Sequence, residues 1–115
     1  MAESRDLDKL EIPEEIKKIL KDFIVKAKEN LGDVEIYLFG SYAKGNWLRD
    51  SDLDLILVSP AFKNIDMSRR YRIVREFLPA KISVELLIYT PEEFERLKKK
   101  SIVLQDAIEY WVKLL

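Results

Sequence analysis

Residues 38–58 read LFGSYAKGNWLRDSDLDLILV. Two apolar runs flank a Gly-Ser pair and a pair of aspartates, with ten residues between Ser41 and Asp52. The first run, 34–39, predicts a strand that breaks into a tight turn at Gly40. The second, 53–58, predicts a strand with carboxylates at its entrance, where acids are normally depleted. Side chains alternate across a strand, so Asp52 and Asp54 share one side while Leu53, Leu55 and Leu57 take the other. The two carboxylates are then neighbours, roughly 6 to 7 Å apart at the backbone. Like charges that close repel unless a cation lies between them, and hard divalent cations suit such oxygens. Magnesium is the first candidate.

Outward from this stretch, helical and strand patterns alternate. Ile16, Ile19, Leu20, Phe23 and Ala27 recur at helical spacing over 13–31, with Pro13 at the start and Gly32 placed to end the helix. In the first strand Tyr37 and Phe39 face one way and Ile36 and Leu38 the other, so both faces are expected to be buried. A short turn or helix over 41–47 follows. Pro60 closes the second strand. Residues 67–78 predict a helix with Ile73, Val74, Phe77 and Leu78 on one side; Arg69, Arg70, Arg72 and Arg75 read as its solvated face. Residues 81–89 alternate as a strand, with Ile82, Val84, Leu86 and Ile88 on the apolar face and Ser83 and Glu85 opposite. Thr90 and Pro91 start another helix. The final segment, SIVLQDAIEYWVKLL over 101–115, is expected to be a helix whose apolar residues cover more than one face. That surplus suggests a surface for a partner protein or an oligomer.

A chain of 115 residues supports one domain, here 1–115. With 48% hydrophobic residues it can build a core, and 20 basic against 21 acidic side chains leave a net charge of -1. Such a balance disfavours a nucleic-acid partner. No run of 18 apolar residues exists, and MAESRDLDKLEIP lacks the apolar stretch of a signal peptide, so the expectation is a cytoplasmic protein without a membrane partner. There is no Cys and no His, which excludes thiol nucleophiles, disulfides, imidazole bases and Cys/His zinc sites. Any chemistry rests on carboxylates, hydroxyls, Lys or Arg.

Asp52, Asp54 and Glu85 would converge if their strands were neighbours. Three carboxylates are how proteins hold two magnesium ions for phosphoryl or nucleotidyl transfer. Gly40 allows close backbone approach to a phosphate, Ser41 offers a hydroxyl and N–H groups, and Lys44 adds positive charge. As a set, Gly-Ser, a spacer, Asp-x-Asp and a later strand acid resemble the nucleotidyltransferase fold of the DNA polymerase beta superfamily. The segments GSYAKG, SDLDLILV and VELLIYTPEEFE are most similar to its minimal nucleotidyltransferase (MNT) group, many of whose members pair with HEPN-domain proteins as toxin-antitoxin modules. The resemblance covers residues 36–97.

That resemblance implies an α/β (α+β) domain, a short mixed sheet flanked by helices, using two Mg2+ ions and an NTP, ATP first. Asp52, Asp54 and Glu85 would be the metal-binding catalytic acids, and Gly40, Ser41 and Lys44 the nucleotide-binding residues. AMP would pass to an acceptor hydroxyl, a Tyr of a HEPN-type partner, with release of pyrophosphate. The pattern commonly has Asp as third acid; Glu85 stands here instead. The alternative is a binding module that neutralises a partner by contact through 101–115.

Overall fold

The computed structural model describes residues 7–115, so the first six residues of the N-terminal reading lie outside it. In chain order the elements are α1 (Glu14–Leu31), β1 (Glu35–Phe39), α2 (Gly40–Lys44), β2 (Leu53–Val58), a 3-10 turn (Pro60–Phe62), α3 (Met67–Arg75), β3 (Val84–Tyr89), α4 (Pro91–Lys98), α5 (Ile102–Ile108) and β4 (Val112–Lys113). The strands form one mixed sheet ordered β3-β2-β1-β4. β1 runs antiparallel to β2 and β4, whereas β2 and β3 are parallel. A parallel neighbour needs a crossover, and α3 supplies it.

Helices cover both faces, which explains why both sides of β1 are apolar. Ile36, Leu38, Leu53, Leu55, Leu57 and Ile88 meet Ile16, Leu20, Phe23 and Ala27 of α1 and Val74 of α3 in one core. Tyr37, Phe39, Ile56 and Val58 meet Phe94 of α4 and Leu104 and Ala107 of α5 in the other. Each fully buried side chain of this size contributes about 1.5 to 3 kcal/mol, so these two layers hold the sheet rigid beneath the loops at its end. Among the described residues no helix is long and apolar enough to cross a membrane.

Three expectations change. The last segment is not one helix over 101–115. α5 stops at Ile108, and Val112–Lys113 turns back as an edge strand whose Val112 pairs with Leu38 and Lys113 with Tyr37. The Leu114 amide donates to Ile36 O at 2.7 Å, Leu114 is fully buried, and Trp111 stacks on Tyr37 with centroids 4.0 Å apart. Much of the apparent apolar surplus is therefore intramolecular core. Ile102, 82% exposed, and Val103, 56% exposed, remain outside. Secondly, β3 begins at Val84 rather than Lys81, because the Ile82 amide turns to Pro79 O at 3.2 Å.

The third correction concerns the arginines of α3. Arg70 is 5% exposed. Its guanidinium donates to Glu93 Oε1 at 2.6 Å and Oε2 at 3.1 Å and to Ile88 O at 3.2 Å, while Nε donates to Ile65 O at 2.7 Å. Glu93 also completes a reciprocal cap with Thr90 at the start of α4. The Arg70 bonds, with help from Thr90, hold the Glu93 carboxyl down at about 2 despite partial burial. Arg75 donates to four carbonyls, Leu78, Pro79, Ala80 and Ile82, at 3.4, 3.0, 3.1 and 2.7 Å. It thus ties down the turn that feeds β3. Neither arginine is a merely solvated charge.

Candidate active site

The expected site residues gather at one end of the sheet because three chain segments end or begin there. β1 stops at Phe39 and passes directly into α2 at Gly40. β2 begins one residue after Asp52, and Phe39 pairs with Asp54 across the β1–β2 ladder. On the other side of β2, Asp54 pairs with Glu85 in the parallel ladder. Asp54 is central, flanked by Gly40 on β1's side and Glu85 on β3's side.

Side-chain parity puts Asp54 and Glu85 on the same face of adjacent strands, and their carboxyls are within hydrogen-bonding reach. Burial, the hydrogen bond and charge of Glu85, and the charge of Asp52 push Asp54 up to about 7. Two carboxyls in contact lower their repulsion by sharing one proton. Asp52 is exposed and stands slightly apart, yet its charge, after burial, raises the Tyr42 hydroxyl as well. Among the described residues no three acidic, His or Cys side chains form a ready metal cage. The structure therefore brings Asp54 and Glu85 into contact and leaves Asp52 at their edge.

Gly40 has a more specific duty than phosphate approach. Its φ is +72°, a region that L side chains avoid, and a Cβ added there would overlap the Asp54 carboxyl, 2.6 Å from its Cγ and 3.0 Å from its Cβ. Only a residue without a side chain lets the start of α2 sit against Asp54. Ser41 follows, half-buried, and its carbonyl accepts the Gly45 amide at 3.0 Å. Lys44 is exposed, with Nζ 4.5 Å from the ring centroid of Tyr110. A cation over a ring face is attracted by about 0.5 to 1 kcal/mol at such exposed sites, which leaves the ammonium free to turn toward an anion.

The loop between α2 and β2 is stiffer than its composition suggests. Trp47 Nε1 donates to Glu11 O at 3.0 Å, and its ring stacks on Tyr42 with centroids 5.9 Å apart. Ser51 Oγ accepts the Leu48 amide at 2.7 Å, while the Ser51 amide donates to Leu48 O at 3.0 Å. This double staple fixes Asp52 from behind. The Leu53 amide then donates to Ser83 O at 2.9 Å, joining the entrances of β2 and β3. Ser83 and Tyr42 were not singled out from sequence. Ser83 carries a signal only once β3 is known to run parallel to β2, and Tyr42 only once its contact with Trp47 is known.

Hard oxygens are the donor type that magnesium takes, and they converge from two adjacent strands with Gly40 leaving room beside them. The residues present fit that ion. A pair that can hold one proton between two oxygens can instead hold a cation there.

Residues 13–110 match the family described as "Nucleotidyltransferase domain". A stretch of 64 residues is 38% identical to the "Putative protein adenylyltransferase MJ1305" of Methanocaldococcus jannaschii, covering 52% of this chain and 42% of that protein. Among solved structures, a toxin-antitoxin crystal structure with AMP-PNP superposes with a TM-score of 0.58 at 25% identity, over 83% of this chain and 72% of that one. A Sulfolobus solfataricus protein described as a "putative nucleotidyltransferase" superposes with a TM-score of 0.57 at 26% identity, over 69% and 70% of the two chains.

Proposed function

We propose that this chain, which belongs to the nucleotidyltransferase domain family, moves a nucleoside monophosphate, AMP from ATP, onto an acceptor hydroxyl and releases pyrophosphate. The observation that carries this reading is the pairing of Asp54 with Glu85 on adjacent parallel strands, with Gly40 seated against Asp54.

In the reaction, Gly40 and Ser41 receive the triphosphate, and Lys44 swings from Tyr110 to add its charge. The acceptor oxygen forms a bond to the α-phosphorus as the bond from that phosphorus to the bridging oxygen of the pyrophosphate breaks. Glu85 accepts the acceptor's proton, and the leaving pyrophosphate carries the electron pair. Asp52, Asp54 and Glu85 would hold magnesium, two ions in the full arrangement, which when bound supplies positive charge against the phosphates and the acceptor oxygen. Glu85 in place of Asp lengthens the arm by one methylene, and the contact with Asp54 is made with that longer arm.

The acceptor we assign is a Tyr hydroxyl of a HEPN-type partner. The protein adenylyltransferase name of the relative and the toxin-antitoxin name of the structural neighbour support a protein acceptor. Ile102, Val103 and Ile108 are exposed on α5 and offer an apolar surface to such a partner. The same surface favours a second reading, a module that neutralises its partner by contact. Transfer of label from α-labelled ATP into a lysate of the source cells tests the choice, comparing the wild type with an Asp52→Asn, Asp54→Asn double variant. A labelled protein band that requires the carboxylates is expected. Equal labelling by both proteins would overturn the assignment of the carboxylates, and no labelling with any NTP would leave the contact reading.

A further inference from the structure

Four chain segments meet at the end of the sheet where the acids lie, and the fourth is the C-terminal one. In the antiparallel ladder Leu38 pairs with Val112 and Tyr37 with Lys113. Carried one and two residues further, that register sets Trp111 level with Phe39 and Tyr110 level with Gly40. The order across the end of the sheet is then Glu85, Asp54, Gly40, Tyr110. These groups share one face. Asp54 pairs with Phe39 and with Glu85, and Phe39 belongs to the core beneath α4 and α5, against which Tyr110 and Trp111 also pack. Adjacent strands lie about 4.8 Å apart, so Tyr110 stands about 10 Å across the sheet from Asp54, with the start of α2 between them.

Tyr110 is well anchored. It is half-buried, its amide and that of Trp111 donate to Ala107 O at 3.1 and 2.7 Å, and its hydroxyl donates to Asp106 Oδ2 at 3.3 Å. Its ring carries the Lys44 ammonium 4.5 Å from the centroid. Local structure alone would send that ammonium elsewhere. Lys44 follows Gly40 by four residues, about one helical turn, and helical side chains lean toward the N-terminus of their helix. An unrestrained Lys44 arm therefore leans toward the Gly40 end of α2, where the Asp54 carboxyl lies against the backbone. Yet Lys44 enters no ion pair among the described residues. An exposed ion pair and a cation on an exposed ring are of comparable worth, so one ring suffices to decide between them.

We propose that Tyr110 is a positioning residue whose ring holds Lys44 away from Asp52 and Asp54 while the site awaits its cation. A lysine resting on those carboxylates would neutralise them and compete with magnesium for their oxygens. The proposal rests on the transfer reading above and adds to it a residue of the C-terminal segment. Lys44 is thereby kept for the phosphates, which attract an ammonium more strongly than a ring face does. The ring performs this task, and the hydroxyl is dispensable for it.

Two measurements test it, and neither needs turnover. The first records the ε-methylene resonances of 13C-labelled lysines, with Lys44 assigned by its loss in Lys44→Met. The ring should move Lys44 upfield in the wild type and in Tyr110→Phe but not in Tyr110→Leu, which keeps an apolar side chain against the core. Lys44 at the ordinary lysine position in the wild type would overturn the proposal. The second titrates magnesium alone, following the amides of 52–54 and of Glu85. The apparent Kd should rise about two- to fivefold in Tyr110→Leu and stay at the wild-type value in Tyr110→Phe. It should be the same in Lys44→Met and in the Tyr110→Leu, Lys44→Met double variant. No rise in Tyr110→Leu would overturn the proposal. So would an equal rise with and without Lys44, because Tyr110 would then act through packing. If magnesium bound none of these proteins, the transfer reading and this role would fall together; magnesium bound without coupling to Lys44 would remove the role of Tyr110 and leave transfer standing.

Discussion

Replacing Gly40 by alanine should damage stability and carboxylate geometry together, whereas the same change at Gly45 should reduce stability only. Both glycines are left-handed, with φ of +72° and +86°. An L side chain in that region costs about 1 to 2 kcal/mol, offset by about 0.4 to 1 kcal/mol through the stiffer unfolded chain. At Gly45 nothing lies within 4 Å of the added Cβ, so the net loss is about 1 kcal/mol, or about 4 °C in Tm for a domain of this size. At Gly40 the added carbon stands 2.6 Å from Asp54 Cγ and 3.0 Å from Asp54 Cβ. Carbon pairs sit at about 3.5 to 4.0 Å when unstrained. Rotation of Asp54 about χ1 relieves the first contact but not the second, so the start of β2 must move. Overpacking of this kind adds about 1 to 3 kcal/mol. It also separates Asp54 from Glu85, and misplacement by about 1 Å costs about 100-fold in rate. Thermal melts of both variants, with transfer measured well below each Tm, make the comparison. Equal melts would refute the steric argument, and a Gly40→Ala enzyme as fast as Gly45→Ala would refute the geometric one.

Glu93→Gln should cost about 3 to 5 kcal/mol, because it leaves Arg70 buried without its counter-charge; a shift of the urea midpoint worth less than about 1 kcal/mol would count against the pair. The wild type should also lose about 2 to 3 kcal/mol as pH falls. Glu93 is held down at about 2, so its contribution is complete above the ordinary carboxylate range, near 4.5, and disappears on descent toward 2; acid titrations of Glu93→Gln should lack that component. Asp54→Asn should keep the fold and abolish transfer, and magnesium should raise the Tm of the wild type but not of the Asp52→Asn, Asp54→Asn variant; retained transfer would sink the site. Leu114→Ala should cost about 2 to 5 kcal/mol because the side chain is fully buried. Ile102→Ala should stay within about 0.5 kcal/mol and instead weaken capture of a partner, and the reverse ranking in denaturant melts would contradict the C-terminal packing.

Much of the site was legible locally. Period-2 alternation set Asp54 on the side of β2 opposite Leu53, Leu55 and Leu57, while Asp52 stands just ahead of the strand, and the apolar pattern of 34–39 announced a strand covered on both faces. Glu85 was harder. Its parity could be read, but contact with Asp54 depends on β3 lying parallel beside β2, a pairing made through a long crossover that leaves no mark at either residue. Gly40 was read as a phosphate-approach residue, while its closest constraint is Asp54, fourteen positions later in the chain. Arg70 and Arg75 looked like a polar helix face because helical periodicity reports where a residue points, not whether a carbonyl or carboxylate of another element meets it there.

The segment 101–115 draws the boundary most clearly. Its residues carry both helical and strand propensity, with no Gly or Pro to mark where one yields to the other. Local energies there are nearly balanced, so the open edge of β1 decides, taking Val112 and Lys113 as a fourth strand and burying Leu114. Patterns set by neighbours along the chain, such as strands, caps and the Gly-Ser and Asp-x-Asp spacing, were present in the sequence by itself. The contact of the third acid, the buried Arg70–Glu93 pair and the end of the chain came only with the tertiary structure, because each depends on surfaces that meet after the chain has crossed the sheet.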